Sequence, residues 1–122
     1  MNASTDNLTE GIIGCAFKVS NILGSGFLEK VYENALMIEL GKAGYKAEQQ
    51  KPVTVSYEGQ VVGHYAADIL VEGAILLELK AAKAIDPIHE AQLLNYLKAA
   101  GIRVGLILNF GTPKLGIKRM VL

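Results

Sequence analysis

Residues 64–82 read HYAADILVEGAILLELKAA, and the turn inside them decides how the chain folds. Ala74 to Leu79 has the length and apolarity of one buried strand, and Glu72-Gly73 before it is a turn signal that folds it back on HYAADILV. Alternate side chains of a strand point to opposite faces, so Glu78 and Lys80 emerge together from a segment otherwise built for burial. An isolated carboxylate is costly to remove from water, so charges placed there call for a charged partner or a metal ion. Asp68, on the preceding strand, can supply a second acidic ligand.

Whether the two acids cooperate depends on the parity of the turn. A two-residue loop at Glu72-Gly73 would set Asp68 opposite Leu77 and send Glu78 to the wrong face. A three-residue loop, either Val71 to Gly73 or one centred on Gly73, restores the match, so an odd loop or a bulge is predicted. On that register His64, Ala66, Asp68, Leu70, Leu76, Glu78 and Lys80 share one face. Ile69, Val71, Ile75, Leu77 and Leu79 occupy the other. Neither face is strongly polar, which predicts a sheet covered on both sides.

Before this ribbon, Ile12, Ile13, Ala16, Phe17, Val19, Ile22 and Leu23 recur at helical spacing after the potential caps Ser4, Thr5 and Asp6. That helix stops at Gly24-Ser25-Gly26, and Leu28, Val31, Tyr32, Ala35, Leu36 and Leu40 mark a second, ending near Gly41 and Gly44. From Tyr45 the pattern alternates, with Val53, Val55 and Tyr57 before the hairpin signal Glu58-Gly59. Downstream, Asp86-Pro87 offers an N-cap followed by proline at the first helical position, opening a helix that runs to Gly101. VGLILNF then forms a fourth strand, and IKRMVL is a candidate fifth. The prediction is an α/β protein with two N-terminal helices, a three-strand antiparallel meander, a crossover helix and one or two further strands in a mixed sheet.

At 122 residues and 51% hydrophobic content the chain is read as one domain, 1–122, able to bury a core of its own. Twelve basic against 12 acidic residues give no overall positive field, so any grip on nucleic acid must come from local charge. Lys80 with Lys83, and Lys114 with Lys118 and Arg119, are the candidates. A single cysteine, Cys15, excludes an intrachain disulfide, and its apolar neighbours predict a buried thiol in a reducing compartment. The polar start MNASTDNLTE and the lack of an apolar run near ~18 residues support neither secretion nor membrane insertion. A cytoplasmic protein is the expectation.

Two carboxylates on neighbouring strands suit Mg2+ or Mn2+, which prefer oxygen and leave positions open for water and substrate. Such an ion can polarise a phosphoryl oxygen and acidify a bound water, the requirements of phosphodiester hydrolysis. Lys80 could orient that water or offset developing charge. The competing reading makes Glu78 and Lys80 an edge-strand charge pair, against which the apolar Ala74–Leu79 run argues.

The order helix, three strands bearing Asp then Glu-x-Lys, helix, strand resembles the PD-(D/E)XK nuclease superfamily, and within it the GxxExxY family. The naming motif reads here as Gly26, Glu29 and Tyr32 in GFLEKVY, and the resemblance continues through Asp68, Glu78-Leu79-Lys80, HEAQLLNYL, GLILNFG and GIKRMVL. It implies a restriction-endonuclease-like core and a metal-dependent nuclease acting on DNA, with Asp68 and Glu78 as metal ligands and Lys80 as the catalytic lysine. It further implies that Glu29 approaches the metal through water. Gln92 and Tyr96 match a glutamine-x3-tyrosine pattern, and their i, i+4 spacing puts them on one helical face, where they would touch substrate phosphate or buttress the core. Ala67 stands where the superfamily label has proline, at a position that varies widely.

An alternative is a catalytically silent nuclease-fold module that binds nucleic acid or protein, made credible by the absence of net positive charge. A second copy would let so small a domain cut both strands, so a homodimer is compatible with the chain. Plainer roles also stand beside the site roles. Glu29 could serve its helix dipole, Tyr32 and Tyr96 could be core aromatics, and a lone His64 is usually structural. His89 and Glu90 read as capping or rim residues. The Gly24-Ser25-Gly26 turn follows a helix rather than a strand and has no Lys-Ser/Thr continuation, which argues against a phosphate-binding loop.

Overall fold

The computed structural model describes residues 3–122, with side chains from Thr5 onward. The elements, in chain order, are α1 (Ala3–Leu23), α2 (Glu29–Lys42), β1 (Ala47–Tyr57), β2 (Gln60–Val71), β3 (Ile75–Lys80), α3 (Pro87–Ala100), β4 (Val104–Asn109) and β5 (Gly116–Val121). The strands form one five-stranded mixed sheet in the order β1-β2-β3-β4-β5. β1, β2 and β3 are the antiparallel meander, β3 and β4 run parallel through the α3 crossover, and β5 returns antiparallel. The predicted architecture is therefore the observed one, with the candidate fifth strand present.

Helix α1 begins earlier than its apolar periodicity suggests. Thr5 and Asp6 lie inside its first turn rather than at a cap, and the side chain of Ser4, like Met1 and Asn2, lies outside the described residues. The α1–α2 turn is held by Tyr32, whose buried hydroxyl donates to the Gly24 carbonyl (2.6 Å) and accepts from the Phe27 amide (3.2 Å). Gly26 adopts φ 116°, a conformation that glycine reaches without steric cost. Two residues of the GFLEKVY motif thus have a role in chain packing. Tyr32 also stacks on Phe110, with ring centroids 4.7 Å apart.

α3 starts as its sequence predicts. Asp86 accepts from the Ile88 amide, and His89 Nδ1 accepts from the Asp86 amide, closing a capping box with histidine at its third position. Gly101 ends the helix in the left-handed conformation.

Both faces of the sheet are covered. α1 and α2 pack with Ile69, Val71, Ile75, Leu77, Leu79 and the alternate residues of β4. On the opposite face Leu93 and Leu97 of α3 pack with Val53, Ala67, Leu70, Leu76 and Ile107. Leu93 explains Gly105 in β4, since a Cβ there would come within 3.0 Å of the leucine methyls. Cys15 is half-buried rather than buried, and its thiol donates to the Glu39 carbonyl at 3.6 Å. Among the described residues no helix is long and apolar enough to cross a membrane.

Candidate functional site

The β2–β3 connection has the odd length that cooperation between Asp68 and Glu78 requires. Val71 pairs with Ile75, leaving Glu72, Gly73 and Ala74 as a three-residue loop centred on Gly73, with Glu72 and Gly73 both at positive φ. Ile69 pairs with Leu77, and there the regular ladder stops. Instead of a backbone partner, the Leu79 amide finds the side chain of Asp68, donating to its Oδ2 at 2.7 Å. Asp68 thus substitutes for a ladder bond at the point where the strands separate, and its carboxylate sits beside Glu78.

β1 is irregular at the same level of the sheet. Gln49 pairs with Ile69 and Lys51 with Ala67, but Gln50, between them, has φ 53° and drops out of the pairing opposite Asp68. Side chains of Gln49 and Gln50 both donate to Glu33 of α2, which regular alternation along a strand would forbid. Glu33 is 4% exposed and also takes Lys30 at 2.9 Å. This buried acid fastens a kink in β1, of the kind that re-aims side chains beside functional sites. Glu33, Gln49 and Gln50 were missed in the sequence, because a kink that keeps the register leaves no periodic signature when its residues are polar.

The kink also corrects the predicted faces. His64 and Ala66 are exposed and do not share the acidic face; beyond Asp68 it is Ala67 and Tyr65 that turn toward α3. Leu70, Leu76 and Glu78 keep the predicted side, and the other predicted face holds throughout.

Glu78 is 7% exposed, and its Oε1 has no hydrogen-bond partner. Burial, then the charge and hydrogen bonding of Asp68, push its carboxyl up to about 9, while Lys80 acts in the opposite direction. Lys80, half-buried at the end of β3, has neither an ion pair nor a side-chain hydrogen bond within the described residues. The strand end that carries it is clamped by Asn109, which is 2% exposed. Asn109 Oδ1 accepts from the Ala82 and Gly111 amides, and Nδ2 donates to the Ala82 carbonyl. Gly111 must be small, because a Cβ there would collide with the Ala82 backbone. A lone asparagine closing the apolar run of β4 was the available signal for this clamp.

Of the remaining candidates, Tyr96 packs on the α3 side of the sheet within electrostatic reach of the acidic pair. Its hydroxyl pKa is raised by burial and then by the charges of Glu78, Tyr65 and Asp68. Gln92 is exposed one turn earlier, and both line a groove of about 860 Å³ between α3 and the outer part of the β1–β2 hairpin, where Thr54, Ser56 and Tyr65 face them. Glu29 is exposed at the first position of α2 and makes no hydrogen bond or ion pair to Asp68, Glu78 or Lys80. Lys118 and Arg119 are engaged with Glu90 and Asp6, at 3.8 and 2.9 Å, which removes most of the proposed C-terminal basic patch.

Among the described residues no group of three or more His, Cys, Asp or Glu side chains converges on a metal position. Asp68 and Glu78 are a two-acid set, and the orphaned Glu78 Oε1 is the oxygen that a hard divalent cation would satisfy. The donor chemistry therefore fits such an ion, with most coordination positions left to water or substrate.

Residues 6–120 match the PD-(D/E)XK nuclease superfamily, and the chain belongs to it. The crystal structure of SSO0001 superposes with a TM-score of 0.59 at 20% identity, covering 75% of this chain and 48% of that one. The chain thus spans about half the length of SSO0001, and the likeness is one of fold. An alkaline exonuclease (LHK-Exo) from Laribacter hongkongensis gives a TM-score of 0.49 at 11% identity, covering 87% of this chain and 75% of that one. No curated protein matches.

Proposed function

We propose that the protein is a Mg2+- or Mn2+-dependent nuclease of the GxxExxY family that hydrolyses phosphodiester bonds of DNA. The observation that carries this reading is the buried Glu78 carboxyl with an unsatisfied oxygen beside Asp68, an arrangement costly to the free protein and relieved by a cation. Asp68 and Glu78 would hold the ion, which when bound supplies Lewis-acid polarisation and a more acidic water. Asp68 has one oxygen committed to the Leu79 amide, which fixes its orientation. Lys80 emerges on the same face as Glu78 and can place its ammonium against the phosphate or the attacking water. Tyr96 and Gln92 can donate hydrogen bonds to a phosphate lying in the groove. Glu29 would act through water from the start of α2, and Cys15, a lone half-buried thiol, suits a cytoplasmic setting.

The test is cleavage of labelled single- and double-stranded DNA with Mg2+ or Mn2+ by the wild type, Glu78→Ala and Lys80→Ala. The expected result is metal-dependent cleavage by the wild type and at least a 100-fold loss in each folded variant, on the order of removing one essential group. Cleavage unchanged in Glu78→Ala would overturn the reading. Metal binding without cleavage would favour the silent binding module.

A further inference from the structure

The groove between α3 and the β1–β2 hairpin differs from a surface built to grip a duplex. A double helix is held mainly through its phosphates, and that grip needs several unpaired cations along one face. The chain carries no net charge, and of the basic residues outside ion pairs among the described residues only Lys98 lines the groove, while Lys80 stands beside the acidic pair. His89 lines the groove too, its Nδ1 accepting from the Asp86 amide, and no Asp or Glu does. What the groove offers instead is aromatic rings and neutral hydrogen-bonding groups. Tyr65 and Tyr96 approach across it with ring centroids 5.2 Å apart at a 44° tilt, and Tyr65 is 49% exposed. Gln92 and Asn95 stand beside them. Tyr96 lines the groove and feels the charges of Glu78 and Asp68, which do not line it themselves.

Resting on the nuclease reading, we infer that the substrate enters this groove as single-stranded DNA, with a base stacked on the exposed ring of Tyr65 and the adjoining phosphate passing Tyr96 toward Asp68 and Glu78. Every base has a face that can stack, and only an unpaired strand presents it to a side chain. Hydroxyl and amide groups around the rings can then satisfy exposed base edges, with Lys98 in the groove available to the backbone. The inference explains why the Tyr65 ring, packed against Tyr96, is left half in water at the groove.

Fluorescence anisotropy of the full chain in EDTA, where cleavage is suppressed, tests it with labelled strands of about 12 nucleotides, within the usual span of a single-strand site. The single strand should bind at least about tenfold tighter than the matching duplex. Tyr65→Ala should weaken it by about 5- to 100-fold, the range of one base–aromatic stack, while Tyr65→Phe retains most of the affinity. An abasic strand of equal length should bind the wild type as poorly as the normal strand binds Tyr65→Ala. Duplex binding as tight as single-strand binding, no single-strand binding at all, or Phe and abasic arms that disagree with this order would overturn the inference. Single-strand binding with no cleavage of any DNA would instead end the hydrolase reading alone, and equal duplex cleavage by wild type and Tyr65→Ala would end this inference alone.

Discussion

Glu78 concentrates the physical tension of the molecule in one side chain. In the unfolded chain its carboxyl loses its proton near 4.5, whereas in the metal-free fold it holds it to about 9. Between those values unfolding releases a proton, so the stability of the metal-free protein falls as pH rises from about 4.5 to about 9 and levels off beyond. The slope has a ceiling of about 1.4 kcal/mol per pH unit, equivalent to several degrees in Tm. Thermal melts in EDTA at pH 6 and pH 8 should show this decline in the wild type and a markedly flatter response in Glu78→Gln. Equal slopes would mean that the carboxyl is not held protonated by its surroundings. Added Mn2+ should recover stability at pH 8 in the wild type and not in Glu78→Gln.

The kink shared by β1 and β2 belongs to the element scale, since no single residue makes it. Gln50 at positive φ, the gap in the ladder opposite Asp68, and the two glutamine amides gathered on Glu33 are three views of one bend. At the same level of β2 the Asp68 carboxylate takes the Leu79 amide and meets Glu78. Removing Glu33 should therefore do more than destabilise. Glu33→Ala removes the acceptor shared by the exposed Gln50 amide and the half-buried Gln49 amide, which keeps Asn34, at a cost of about 1–2 kcal/mol. It should also weaken Mn2+ binding by about tenfold or more, as removal of an orienting contact does. Calorimetric titration on protein shown by circular dichroism to be folded separates the two effects. A stability loss with unchanged metal affinity would confine Glu33 to packing.

At the scale of the whole molecule, most of the architecture was legible because periodicity changes where the elements change. The odd β2–β3 loop followed from requiring two buried acids to meet, and the α3 cap from Asp86-Pro87 followed by His89. What escaped was long-range and polar. Nothing local announces that Glu33 will bind residues 16 and 17 positions later, or that Asn109 will clamp a loop 27 positions earlier. The face assignment of His64 and Ala66 failed for the same reason, because strict alternation cannot foresee a bend held from another element. Glu29 remains a proposal carried by resemblance, exposed at the start of α2, whereas Tyr96 acquires a spatial argument the sequence lacked.

These scales meet in one claim, that Asp68 and Glu78 converge on a shared divalent cation. Anomalous scattering from crystals grown with Mn2+ tests it without assuming any substrate. The account predicts one strong peak within coordination distance of a carboxylate oxygen of each residue, lost in crystals of Glu78→Gln. A fully occupied ion elsewhere, or no ion between these two side chains at saturating Mn2+, would contradict it.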